Sequence, residues 1–352
     1  MEYHFYTSDN YLCCFDCLKD YITQYCGTKK FPVAEITFND DNYKDLLDAI
    51  NKEIHLEELT ILGSDGYLRN VTYNGIEKLQ KAKGLNQNRI IKNQIKLSKK
   101  LKSDIDYREM IFKSYEFGKI HKTGCGIFGY NKYVFPCRTY NRAIPFRFRK
   151  AKKSNQPLVI YFGGGGTIGH NNFYPFFEQF TIGKSLELLK NDCNILVPQY
   201  VRDKCLGEED AREKYIESCW ELISILISRY NIDKSRIYIY GASLGGGCVW
   251  NMLINHHDMI AAAIETMGCY YGYKKFEEID FEAIAKVPLW IVHASNDNVV
   301  SVESDDKFYN EIKKYNPETK YTRPDKYAHK VAGNFLSHEN WVKWMLSHKL
   351  KL

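Results

Sequence analysis

The sequence predicts an α/β protein, with a mostly parallel sheet covered by helices on both faces and a small α+β module in front of it. Three observations lead there. From residue 158 onward, short apolar runs alternate with longer amphipathic ones, the pattern of strand–helix–strand units. Gly241-Ala242-Ser243-Leu244-Gly245 reads G-x-S-x-G at the junction of a strand-like and a helix-like run. Beyond it, Asp297 and His329 follow in the order Ser, Asp, His.

The 352 residues suffice for more than one domain and for a sizeable core. The composition, 44% hydrophobic and 26% charged, is that of a globular protein. The formal net charge of +6 conceals a sharp segregation. Residues 1–75 hold 13 acidic and 6 basic side chains, whereas residues 76–102 hold 9 basic and one acidic. Such a reversal marks a boundary between differently built segments. The start, Met1-Glu2-Tyr3-His4, has neither the basic nor the apolar region of a signal peptide, and no run has the length of a membrane span. Eleven cysteines without a secretion signal point to reduced thiols and a cytoplasmic location. Cys14 and Cys17 form one CxxC, but no second pair follows at zinc spacing, so no metal site is expected.

Residues 1–84 read as a winged-helix-like module. Helical spacing runs through 11–26, Pro32 opens a short helix to Phe38, and Asn39-Asp40 caps a third, with Tyr43, Leu46, Leu47, Ile50 and Ile54 on one face. Two strand-like runs, 58–62 and 67–73, flank the turn Ser64-Asp65-Gly66, and a helix over 75–83 closes the module. Its similarity to winged helices rests on this pattern and on Val71-Thr72-Tyr73-Asn74-Gly75-Ile76-Glu77-Lys78-Leu79. Nucleic acid is not the expected partner, because the helix that would enter a groove carries Asp41, Asp45, Asp48 and Glu53 against Lys44 and Lys52. The module is expected to pack on the chain's own basic segment, on the α/β part that follows or on another protein. Residues 85–117 form that segment, a basic helical connector with Lys92, Lys96, Lys99, Lys100 and Lys102.

Residues 118–352 make the α/β part. Short runs at 130–135 and 143–148 read as antiparallel strands at the edge of the sheet. Strands follow at 158–162, 194–198, 236–240, 261–265 and 288–293. Residues 208–230 form a long helix with Ala211, Tyr215, Cys219, Leu222, Leu226 and Tyr230 on one face; a helix over 246–254 follows the serine, and another over 341–349 ends the chain.

Function in such a sheet gathers at the carboxyl ends of its strands, where Ser243, Asp297 and His329 all fall. Here the chain resembles a known group. Residues 119–349 are similar to the α/β-hydrolases that include feruloyl esterases, polyhydroxybutyrate depolymerases and related predicted peptidases. The likeness is carried by Asp233-Lys234-Ser235-Arg236 through Gly246, by Ala261-Ala262-Ala263-Ile264, and by Pro288-Leu289-Trp290-Ile291-Val292-His293 with Asp297, Val299 and Val300. Phe162 stands where many relatives have His, Ala294 and Ala328 replace glycines, and Ser301 replaces a common proline. The resemblance implies a serine esterase of α/β-hydrolase fold that uses neither metal nor organic cofactor and takes a small-molecule ester. Ser243 would be the nucleophile, His329 the base and Asp297 its orienting acid. The oxyanion hole would pair the Leu244 amide with Gly164 or Gly165 of the tetraglycine run. No G-K-[ST] follows those glycines, which removes a Walker site.

Alternatives remain on the same residues. The runner-up reading is a serine peptidase or an acyltransferase on the same triad, and a binding protein could use the domain as scaffold. His338 in His338-Glu339-Asn340-Trp341 competes with His329 for the base, and the spacing to the terminal helix favours His329. His170 and His293 are expected as pocket lining and strand-end packing. Phe173, Tyr174, Phe176, Phe177, Tyr270, Tyr271 and Tyr273 are expected at the rim of the site.

Overall fold

The computed structural model describes residues 107–127, 130–169, 192–201, 208–272 and 274–351, a few single positions within 170–191, and five strands before residue 71. The chain divides into two compact units, Met1–Met110 and Ile111–Leu352.

In the first unit, β1 (Tyr3–Ser8), β2 (Tyr11–Cys13) and β3 (Ala34–Phe38) form an antiparallel sheet in the order β2-β1-β3. Helix was expected at both β2 and β3, and both are strands. The reason is a partner the local pattern does not reveal. The backbone of β1 pairs Tyr6 with Cys13 on one side and His4 with Thr37 on the other, satisfying the amides that a helix would have bonded internally. Ile36 and Thr37 are β-branched and suit that pairing. β4 (Thr60–Leu62) and β5 (Leu68–Asn70) pair antiparallel inside the two expected strand runs. The expected helices at 39–54 and 75–83, and the basic connector up to residue 106, lie outside the described residues, as does the pair Cys14 and Cys17. Helix α1 (Tyr107–Ser114) spans the division between the units.

The second unit is built on one nine-stranded sheet. β6 (His121–Ile127), β7 (Tyr130–Cys137) and β8 (Arg142–Arg149) are antiparallel. β9 (Leu158–Phe162), β10 (Asn194–Pro198), β11 (Ile237–Ala242), β12 (Ala262–Thr266), β13 (Leu289–Val292) and β14 (Lys320–Thr322) are parallel. The strand order is β14-β13-β12-β11-β9-β10-β8-β7-β6, so β11 lies near the centre.

Among the described residues of the unit six further helices stand: α2 (Glu208–Tyr230), α3 (Leu244–His256), α4 (Phe281–Ala285), α5 (Glu303–Ile312), α6 (Val331–Leu336) and α7 (Asn340–Leu346). Side chains alternate across the inner strands, and both faces there are buried. Leu158, Ile160 and Phe162 of β9 and Ile237 and Ile239 of β11 join Tyr215, Cys219, Leu222 and Leu226 of α2 and Val249, Trp250 and Leu253 of α3. Val159 and Tyr161, with Tyr238 and Tyr240, face the other way onto Val331, Leu336, Trp341 and Met345 of α6 and α7. Parallel strands covered on both faces read as continuous apolar runs, which is why 158–162 and 194–198 are so legible. Among the described residues no helix is long and apolar enough to cross a membrane.

Candidate active site

β11 runs straight into Ser243, and α3 begins one residue later. The turn between them is sharp enough to force Ser243 to φ 56° and ψ −118°, a conformation that L residues avoid. Holding a non-glycine there costs about 1–3 kcal/mol, which the surrounding packing must offset. The glycines make the turn possible. A Cβ on Gly245 would fall on the carbonyl of Phe162, at the end of β9, and one on Gly241 would fall on the Gly245 carbonyl. The Ser243 amide donates to the Thr266 carbonyl of β12 at 2.9 Å, and its own carbonyl accepts from Gly247 at 3.1 Å.

Asp297 lies in the loop after β13. The Asp297 side chain is fully buried. Its Oδ1 accepts from the amides of Val299 at 2.8 Å and Val300 at 3.0 Å. Its Oδ2 lies 2.7 Å from His329 Nδ1. Burial disfavours the charge of Asp297, but those amides and His329 outweigh it and hold the carboxyl below its usual range. His329 sits on a 3-10 turn, Ala328–Lys330, entered through two left-handed residues, Tyr327 at φ 79° and Ala328 at φ 45°. Asn296 Oδ1 accepts from the Ala328 amide at 3.0 Å and so ties the histidine's turn to the loop of the acid. His329 Nε2 lies 3.0 Å from Ser243 Oγ.

Ser243, His329 and Asp297 are thus joined in one hydrogen-bonded line, although 86 residues separate the serine from the histidine. His338 is exposed, apart from this line. The tetraglycine run follows β9, and its first residue packs at the elbow, where a Cβ on Gly245 would also meet the Gly163 carbonyl at 2.9 Å. Gly164 is buried and Gly165 exposed. Leu244 opens α3, so its amide has no carbonyl one turn below it in the helix.

His293 departs from the expectation of simple strand-end packing. It is fully buried behind Asp297, with Nε2 3.2 Å from Asp297 Oδ2 and Nδ1 2.7 Å from Asp305 Oδ2. The sequence signal was weak: His293 and Asp297 are four apart, but Asp305 lies on α5, a helix that was not anticipated. His170, Phe173, Tyr174, Phe176, Phe177 and Tyr273 lie outside the described residues. Tyr270 packs on Phe308, with ring centroids 5.7 Å apart, and lines a separate cavity of about 260 Å³. Tyr271 is exposed beneath the guanidinium of Arg212. The space beside the His329 ring is a depression of about 540 Å³ lined by Asn298, Val299, Tyr327, Ala328, His329 and Lys330. Among the described residues, no three metal-ligating side chains gather where an ion would sit.

Comparison with known proteins agrees with this architecture. Residues 204–330, which contain Ser243, Asp297 and His329, match the dienelactone hydrolase family. A putative alpha/beta hydrolase, L404, of Acanthamoeba polyphaga mimivirus is 25% identical over 111 residues, 27% of this chain and 42% of that protein. The chain therefore spans less than half the length of this relative. Among solved structures, a thermostable esterase superposes with a TM-score of 0.52 at 20% identity over 63% of this chain and 64% of that one. The acylaminoacyl peptidase of Pyrococcus horikoshii gives a TM-score of 0.46 at 16% identity over 70% of this chain and 44% of the other. The strand order and the superposition on the esterase give this chain the α/β-hydrolase fold, and its residues 204–330 are similar to the dienelactone hydrolase family.

Proposed function

We propose that the protein is a serine hydrolase that cleaves a carboxylic ester through an acyl-enzyme on Ser243. The relay from Ser243 Oγ to His329 Nε2 at 3.0 Å and from His329 Nδ1 to Asp297 Oδ2 at 2.7 Å carries this reading. A serine hydroxyl is a weak nucleophile until a base takes its proton. His329, neutral and with its proton on Nδ1, accepts that proton at Nε2 as Oγ attacks the ester carbonyl. Asp297 fixes this tautomer and stabilises the imidazolium that forms. The negative oxygen of the tetrahedral intermediate needs donors set in advance, each worth roughly 2.7–4 kcal/mol. The Leu244 amide supplies one and the amide of Gly164 or Gly165 the other. His329 then gives its proton to the departing alkoxide. Water, activated by the same imidazole, releases the acid and restores Ser243.

The depression lined by Val299 and Tyr327 lies on the His329 side, from which the alkoxide leaves. Their exposure, 67% and 40%, offers apolar contact to the alcohol portion of the ester. Rapid mixing of the protein with a chromogenic short-chain ester tests the proposal. A burst of alcohol approaching one equivalent per chain, or steady turnover that Ser243→Ala abolishes, is the expected result. Folded wild-type protein that cleaves no ester in a panel from acetyl to long-chain acyl groups would overturn it.

A further inference from the structure

We propose that His293 is a second imidazole on the catalytic carboxylate, a positioning residue held as a cation by Asp305, which extends activity toward acidic pH by offsetting part of the Asp297 charge. The inference rests on the proposed role of Ser243, His329 and Asp297.

The geometry shows why the ring is charged. His293 is fully buried. Its Nδ1 faces Asp305 Oδ2 at 2.7 Å, and its Nε2 faces the Val300 carbonyl at 3.1 Å and Asp297 Oδ2 at 3.2 Å. Every partner is an acceptor. A neutral imidazole has one N–H and would press a lone pair against an oxygen on its other side, whereas an imidazolium donates from both nitrogens. The remaining way to satisfy the ring is a proton on Asp305, and the neighbouring groups oppose it. Asp305 Oδ1 already accepts from Trp250 Nε1 at 3.0 Å. Glu265 of β12 is fully buried beside it, with Oε1 accepting from the Gly268 amide at 2.7 Å. Two carboxyls in one dry site share a proton. Burial, then the Asp305 charge, pushes the Glu265 carboxyl well above its usual range, so Glu265 holds that proton.

Two further titratable groups stand near Asp305. Burial raises the Cys269 thiol, and burial followed by Asp306 raises the Tyr321 hydroxyl, so both are neutral near Asp305. Burial alone would keep His293 neutral, but Asp305, the Val300 carbonyl and Asp297 outweigh it and raise its proton affinity. The buried set is therefore Asp297 negative, His293 positive, Asp305 negative and Glu265 neutral. Its net charge of −1 is cancelled when His329 takes the serine proton.

The consequence is directional. An isolated carboxylate at 2.7 Å would stabilise protonated His329 strongly and silence the base over a wide acidic range. A fixed cation on the same Oδ2 withdraws part of that stabilisation and leaves His329 free at lower pH. Nε2 keeps its hydrogen bond to the Val300 carbonyl at 3.1 Å, which holds the charged ring 3.2 Å from Asp297 Oδ2.

The test is the pH profile of kcat/KM for ester cleavage by wild type, His293→Gln and Asp305→Asn. Glutamine retains a donor toward Asp297 but no charge. Both variants are expected to move the acidic limb to higher pH by about one unit, with the plateau rate reduced by no more than about tenfold. A plateau that falls while the limb stays in place would make His293 merely structural and overturn the proposal. Nitrogen NMR of labelled histidines in the unmodified chain decides independently of variant folding. His293 is expected with both nitrogens protonated at pH 7, and a neutral tautomer there would refute it. Were no ester cleaved at all, the reading of Ser243 would fail while this spectrum still decided the state of His293.

Discussion

Replacing Asp297 by asparagine separates the orientation of the base from the fold around it. The side chain has a defined way to sit. Two backbone amides, Val299 and Val300, donate to Oδ1 at 2.8 and 3.0 Å, so the amide oxygen of asparagine takes that place. Its NH₂ group must then occupy the Oδ2 position, 2.7 Å from His329 Nδ1 and 3.2 Å from His293 Nε2. A donor there forces His329 to offer a lone pair at Nδ1 and to carry its proton on Nε2, the atom that must accept the proton of Ser243. The base is thereby in the wrong tautomer with its position unchanged. Loss of the orienting carboxylate in this manner is worth on the order of 10⁴ in kcat. Initial rates on a chromogenic short-chain ester at neutral pH, with circular dichroism to verify the fold, measure the effect. A well-folded Asp297→Asn protein that retains more than about a tenth of wild-type kcat would refute the reasoning.

Other outcomes follow from the same geometry. His329→Ala is expected to lower kcat by about 10⁴ or more, while His338→Ala, at an exposed ring, leaves most activity in the same assay; the reverse result would reassign the base. Gly245→Ala is expected to yield little soluble protein, because its methyl group would overlap the Phe162 carbonyl, whereas Gly165→Ala, with nothing within 4 Å of its Cβ, folds normally; expression and thermal melting compare the two. Stability should also report the state of His293. Its folded-state pKa is raised, so its contribution is present in full below the ordinary imidazole value of about 6.5 and is lost as pH rises through the folded value. The Tm difference between wild type and His293→Gln is therefore expected to be larger at pH 6 than at pH 9, and a gap that widens with pH would contradict this sign.

Legibility in the sequence followed the range of the interactions involved. β9, β10 and α2 were readable to the residue because burial on both faces gives unbroken apolar runs and a 23-residue amphipathic helix. The elbow was readable because close approach of backbone to backbone demands glycine at 241 and 245. The order Ser, Asp, His and the strand before Asp297 point to the two residues that the fold brings into a hydrogen-bonded line with Ser243. What escaped was non-local or interrupted. β2 and β3 owe their strand form to β1, whose pairing no periodicity reveals. β14 is a three-residue edge strand, too short for a pattern. The buried face of α5 is Asp305, Phe308 and Ile312, so a carboxylate breaks the apolar stripe. The partnership of Asp305 with His293 and Trp250 is set by tertiary packing, and the sequence around either residue carries no sign of it.

The central claim, that Ser243 is the nucleophile of a working relay, is tested most directly by labelling the whole chain with a fluorophosphonate and mapping the adduct by peptide mass spectrometry. One adduct per chain is expected, on the peptide containing Ser243, with labelling lost in Ser243→Ala and slowed in His329→Ala. Folded wild-type protein that acquires no adduct, or one modified at another residue at an undiminished rate in Ser243→Ala, would contradict the account.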